Sequence, residues 1–273
     1  MHIQYGKKLK SGPGLLGLYL LIFWAAVALA GFFLTPYAPE AYAGKAFLPP
    51  SAAHWLGTND VGQDLLSQLM AGARTSLGVA IGAAFVSALL GALLGAGGTL
   101  VGGSVERLTV RMMDVGLVIP PILAAMLAAA YLQPGSFTLI GILAFFFWPG
   151  TGRLLRSQTL LLRESGPVTA ARTFGAGRWY LLRRHVLPDL APVLSAAMIH
   201  DARRAVFLEA GLAFLGISDP LAQSWGRMIQ QALAFTYLDA WSWWLLPPGI
   251  AVSSLVLAFA LIGTGLEETH AAD

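Results

Sequence analysis

Apolar residues run on for roughly 20 positions at a time along the whole chain, the length that crosses a hydrocarbon core of about 30 Å as a helix. Six stretches qualify: Gly14 to Thr35, Thr75 to Val101, Met113 to Leu132, Ser136 to Gly152, Leu190 to Leu215 and Trp243 to Leu266. The fourth is short and is interrupted by Trp148-Pro149-Gly150. The pattern predicts an all-α, polytopic membrane protein with six transmembrane helices. Three connections exceed simple turns. Pro36 to Arg74 has a Pro-rich half through Pro49-Pro50, then His54-Trp55-Leu56-Gly57-Thr58, then a predicted short helix from Asp60 to Ala73. Arg153 to Asp189 is basic and partly helical, and Gly216 to Ser242 holds Pro220, Trp225-Gly226 and a predicted interfacial helix. No internal repeat is visible, so an inverted-repeat secondary transporter gains no support.

Composition reinforces the membrane reading. The 273 residues are 56% hydrophobic and 11% charged, against about 25% charged in soluble domains. With no cysteine, disulfides, thiolate metal sites and cysteine nucleophiles are excluded. The net charge of +3 matters less than where the cations lie. With the N-terminus in the cytoplasm, Lys7, Lys8, Lys10, Arg107, Arg111, Arg153, Arg156, Arg163, Arg172, Arg178, Arg183 and Arg184 fall inside, and only Lys45, Arg74 and Arg227 fall outside. This asymmetry predicts that both termini are cytoplasmic. The first apolar run, about 20 residues, exceeds the 7–15 of a signal-peptide core, so it reads as an uncleaved anchor despite Ala28-Leu29-Ala30.

The stretch from Val168 to Ala176, continuing to Pro188, has small residues at Ala170, Ala171 and Gly175, aromatics at Phe174, Trp179 and Tyr180, and a rim of arginines. Such a segment suits insertion into a groove on an acidic-rimmed partner. An amphipathic helix lying on anionic headgroups has the same composition. The spacing resembles the coupling-helix signature of permease subunits of ATP-binding-cassette importers: Ala170, Ala171, Gly175, Leu187 and Pro188 match, with Thr169 where many members carry Glu. Val-x-Ala-Ala-Arg-x-x-Gly-Ala followed by Arg-His-x-Leu-Pro is similar to the dipeptide, oligopeptide and nickel branch. Further likeness runs through His54 to Thr58, Asp64, Gly72 to Leu77, Arg111 to Asp114, Pro120, Glu209 to Gly216, Ser224 to Gly226 and Pro248-Gly249, covering about residues 54–266. Asn59, Gln63, Ala213 and Gly263 to Glu268 depart from the family pattern.

The resemblance implies a type I importer permease fold in the inner membrane. It divides the chain into residues 1–74 (tail, first span and external segment), a core at 75–266 with a coupling helix at about 166–182, and a tail at 267–273. It assigns Thr169, Ala170, Ala171, Arg172, Phe174, Gly175 and Ala176 to ATPase coupling. The implied partners are a second homologous permease forming a heterodimer, two cytoplasmic ATPases, an external substrate-binding protein and the lipid membrane, with no nucleic acid. The implied cargo is peptide, nickel or a metal chelate. No cofactor is expected in this chain. Its lysines, Lys7, Lys8, Lys10 and Lys45, lack the glycine-rich context of a phosphate-binding loop, so ATP and Mg belong on the partner subunits and the permease is not the catalyst.

Ionisable residues within a span cost about 2.5–3.5 kcal/mol each on insertion scales and mark candidate functional sites. His200, Asp201, Arg203 and Arg204 cluster near the middle of the fifth span, with Glu209 toward its external end. Spacings of three and four place His200, Asp201 and Arg204 on one face. Two readings stand: a translocation path that attracts a substrate carboxylate, and an internally neutralised Asp201–Arg204 pair in a packed interface. No dedicated metal site is expected. Gly78-x-x-x-Gly82 and Gly91-x-x-x-Gly95 permit close helix approach, within the chain or against a second permease. Trp225, Trp241, Trp243 and Trp244 read as interface anchors, and His54, Trp55 and Trp225 as contacts for a docked binding protein, with a plain loop cap as the other reading of His54 and Trp55. An ion-coupled secondary transporter and a non-transporting scaffold remain rival functions, though neither requires the Ala170, Gly175, Pro188 spacing.

Overall fold

The computed structural model describes residues 12–132, 135–217, 219 and 222–271; Lys7, Lys8, Lys10 and Pro220 lie outside them. The described residues are helical apart from connecting segments and two isolated bridges, Tyr42 with Gln63 and Thr58 with Asp64. Helices α1 (Gly12–Phe33), α2 (Leu65–Leu90), α6 (Ser136–Arg163), α9 (Leu187–Phe214) and α12 (Leu246–Ala271) are the long ones. Among the described residues, four stretches are long and apolar enough to cross a membrane: Gly12–Phe33, Leu65–Val101, Ser136–Arg163 and Trp241–Leu266. A bent pair, α4 (Gly103–Val118) and α5 (Pro121–Leu132), makes a fifth if it counts as one span. Helix α9 has the length, 28 residues, but the four charges from Asp201 to Glu209 set it apart from the purely apolar spans.

Three details of the predicted spans change. The short helix expected at Asp60–Ala73 is the beginning of the second span: Leu65 opens a helical run that reaches Val101 through a π-helical stretch, Gly91–Gly97, and α3 (Gly98–Val101). Arg74 lies within this run, with its guanidinium 4.4 Å from the centre of the Phe32 ring. The third span, expected to be continuous from Met113 to Leu132, breaks between Val118 and Pro121; proline at 120 pushes Ile119 into an extended conformation, ψ 121°. Conversely, Pro149 does not end the fourth span, since α6 continues to Arg163. Its ring meets Gly116, where even a Cβ would come within 2.6 Å.

By internal packing the described residues form two compact units, those within 1–81, 129–139 and 202–273, and those within 82–128 and 140–201. In the first, α1 lies along α12: Gly17 leaves no room for a side chain beside the Ala258 carbonyl, and Trp24 Nε1 donates to Ser254 Oγ at 2.9 Å. Asp64 caps α2, accepting from the Ser67 backbone and hydroxyl, each at 2.8 Å. Ser224 caps α10 (Trp225–Leu233) through the Arg227 N–H.

In the second unit, the π-helical stretch packs against α6. A Cβ at Gly95 would stand 2.4 Å from the Gly152 carbonyl oxygen, and one at Gly91 2.8 Å from Thr151. The 91–95 glycine pair therefore serves packing within the chain. Helices α4 and α6 are joined by ion pairs Arg153–Asp114 and Arg156–Glu106, the latter at 2.8 Å. Beneath α7 (Gly166–Thr173), α8 (Arg178–Leu181) and a π turn at Leu182–Val186 sits an apolar cluster of Ala92, Ala96, Leu155, Val168, Leu181 and Leu190 with their neighbours.

Candidate functional site

The segment from Ser165 to Val186 is shaped by its sequence. Ser165 is extended at the N-cap of α7 and Pro167 occupies the first turn, where its missing N–H costs nothing. At the other end Gly175 has φ +84°. Its N–H donates to Arg172 O, and the Ala176 N–H donates to Ala171 O, each at 3.0 Å. This is a Schellman closure, which needs a left-handed residue where Gly175 stands and an apolar contact between the residues at Ala171 and Ala176. Both alanines pack on the underlying cluster. The Ala-Ala-Arg-x-x-Gly-Ala spacing is thus a helix stop with its hydrophobic clasp.

What the closure presents outward is apolar and cationic. Phe174 is 90% exposed, Trp179 64% and Tyr180 54%. Thr169, Ala170, Arg172 and Gly175 are exposed as well, and Ala171 and Ala176 are half-buried. Such rings in the open, above a packed core, form an exposed apolar surface.

On α9 the ionisable residues separate. Asp201 is buried, and its Oδ2 accepts from Ser87 Oγ at 2.7 Å and Thr151 Oγ1 at 2.8 Å. His200, beside it in the helix, is exposed. Arg203 and Arg204 are half-buried. Glu209 is buried in the other unit, where it accepts from Ser76 Oγ at 3.0 Å and is bonded to the Ser224 side chain. Asp201→Leu removes the acceptor of two buried hydroxyls and is expected to destabilise the chain by about 1–3 kcal/mol; Asp201→Asn, which retains an oxygen, costs less. Thermal denaturation in detergent checks this, and lost uptake with an unchanged melting curve would instead mark Asp201 as a substrate contact.

Two residues expected to touch a docked binding protein are interior, which corrects that reading for them. His54 is buried, with Nδ1 3.0 Å from Asp64 Oδ1; it supports the cap of α2. Trp225 is fully buried, donates to Leu69 O at 2.9 Å and packs edge-on against Trp24. Trp244 is also fully buried, stacked on Phe235, so neither indole is a surface anchor. Trp55 remains exposed at 72%. Missed in the sequence were the hydroxyls of Ser76, Ser87, Thr151 and Ser224. Their signal was faint: isolated Ser or Thr within or beside apolar spans, with partners up to 133 positions away.

The family described as the binding-protein-dependent transport system inner membrane component matches residues 87–269. The dipeptide transport system permease protein DppC of Bacillus subtilis is 33% identical over 262 residues, covering 95% of this chain and 81% of that protein. A protein of Escherichia coli named "Probable D,D-dipeptide transport system permease protein DdpC" is 35% identical over 223 residues, covering 81% and 74%. Among solved structures, the MetNI methionine ABC transporter in an inward-facing conformation superposes with a TM-score of 0.58 at 19% identity, covering 76% of this chain and 96% of that one. That likeness concerns the fold alone. The chain belongs to the family of binding-protein-dependent transport system inner membrane components. It is therefore a multi-pass permease component of an ABC importer, the class its signature resembles, and the catalytic work of such a system falls to other subunits.

Proposed function

We propose that this chain is one half of the channel of an ATP-driven peptide importer, moved through the segment at about 166–182. The observation that carries the coupling role is the closure at Gly175, which holds Phe174, Trp179 and Arg172 outward on a packed base. An ATPase groove would receive those rings, and an acidic rim would meet Arg172. ATP and Mg would reside on two such ATPases, a homologous second permease would complete a heterodimer, and an external binding protein would select the ligand. The division at residues 75 and 266 follows this assignment, with both termini in the cytoplasm according to the cation asymmetry. Peptide is the favoured cargo because it is named for both dipeptide permease relatives. Nickel or a metal chelate belongs in the same ligand screen.

The test is Gly175→Trp in the chain co-expressed with its neighbouring genes and placed in liposomes. The space beside Gly175 is open, so the damage is confined to the positive φ, a cost of about 1–3 kcal/mol, and to the docking surface. We expect the fold to persist, ATPase subunits to copurify less well or to hydrolyse ATP without moving peptide, and uptake to fall by about tenfold or more. Uptake driven by an ion gradient with no ATPase present would overturn the reading.

A further inference from the structure

Two cavities in the second unit adjoin along Leu100, Val101 and Arg178, and they differ in chemistry. One, ≈ 350 Å³, is walled by Leu93, Leu94, Val105 and Leu182, with Trp179 at its side. The other, ≈ 370 Å³, is lined by Arg163, Arg172 and Arg178, and no carboxylate side chain faces it. The contrast with the rest of the unit is instructive. Arg153 and Arg156 are paired with Asp114 and Glu106, whereas among the described residues none of the three cavity arginines has a carboxylate partner. Three uncompensated cations beside an apolar trough match a molecule with an anionic head and a hydrocarbon tail.

Depth along the bilayer agrees. Arg163 is the last residue of α6, which has 28 residues; at 1.5 Å per residue its end lies about 40 Å from Ser136, close to the thickness of a bilayer with its headgroups. The trough is walled by Leu93, Leu94, Leu100 and Val101, at the C-terminal end of a helical run of 37 residues that is apolar enough to span. An apolar part facing acyl chains and a basic part facing headgroups fit that position. Basic pockets beside transmembrane helices at this level select anionic headgroups.

We propose that this paired cavity is a binding site for an anionic phospholipid, the phosphate held by Arg163 and Arg178 and one acyl chain lying against Leu93, Leu94, Val105 and Leu182. The site joins the membrane to the base of the 166–186 segment, since Trp179 and Leu182 wall the trough and Leu181 belongs both to the basic cavity and to the apolar cluster. A bound lipid would brace that base, and the headgroup composition of the bilayer would tune it.

Native mass spectrometry of the detergent-purified assembly, titrated with phosphatidylglycerol or phosphatidylcholine, tests this. Phosphatidylglycerol should be retained over phosphatidylcholine, and the double variant Arg163→Gln, Arg178→Gln should lose retention by about tenfold or more. Val105→Trp, which fills the trough and leaves the arginines intact, should weaken both lipids. Circular dichroism confirms that each variant keeps its helices. Equal retention of the two lipids, undiminished retention in the double variant, or displacement of phosphatidylglycerol by millimolar inorganic phosphate would overturn the proposal. So would a double variant that sheds its ATPase subunits while keeping its lipid, which would assign Arg163 and Arg178 to protein docking. Gly175→Trp should leave lipid retention unchanged, so this inference and the coupling reading can fail separately.

Discussion

Trp225→Ala is expected to destabilise the chain by about 3–5 kcal/mol, the cost of emptying a buried aromatic site. The indole is fully enclosed, its Nε1 donates to the Leu69 carbonyl at 2.9 Å, and its ring meets Trp24 with centroids 4.7 Å apart. Trp24 in turn donates to Ser254. One indole therefore ties α10 to the first turns of α2 and, through Trp24, to α12. Gly72 is part of the fit: a Cβ there would stand 2.7 Å from Trp225 Cδ1. Thermal denaturation in detergent measures the loss, and Trp225→Phe should recover the packing but not the hydrogen bond. If Trp225 instead served a docked binding protein, the melting curve would hold and only affinity for that protein would fall.

Gly95→Val should be nearly as damaging, costing about 3 kcal/mol or more, because the added atoms meet backbone instead of a movable side chain. The Gly152 carbonyl is only 2.4 Å from where a Cβ would sit, so the two helices must separate. Gly78→Ala provides the control, since nothing lies within 4 Å of that position. The expected result is a sharply lower melting temperature for the first and little change for the second. A Gly95→Val chain that melts normally yet fails to assemble with its partners would move the contact to a permease–permease interface.

Helix identity and approximate span positions were legible because apolar length is read directly off the sequence. The membrane class and family followed from the same pattern plus the 168–188 spacing, and the structure supplies the reason for that spacing in the Gly175 closure. Element junctions were less legible. Pro149 lies inside a helix with its ring against Gly116, 33 positions earlier in the chain, and Arg74 lies inside another with its charge over Phe32, contacts that local patterning does not display. The tryptophans show the same limit in another form. An indole wants one wet or hydrogen-bonded edge and an apolar body, and both a membrane interface and the Leu69 carbonyl satisfy that demand. Likewise, Asp201 could be placed within a span but not paired, because its hydroxyl donors, Ser87 and Thr151, come from distant helices.

The corner between α3 and α4 reverses handedness. Gly102 has φ +70° and ψ −169°, and Gly103 has φ +63°, conformations whose mirror images are ordinary for L-residues. An achiral residue is the only natural one that enters both without strain. No neighbour lies within 4 Å of either position, so the demand is purely one of chirality and not of space. A D-alanine at Gly102 would find there the extended conformation that L-alanine prefers in its own mirror world, and would stiffen the corner by narrowing the unfolded chain. The genetic code offers no such residue, so at this bend the protein settles for glycine and accepts its looseness.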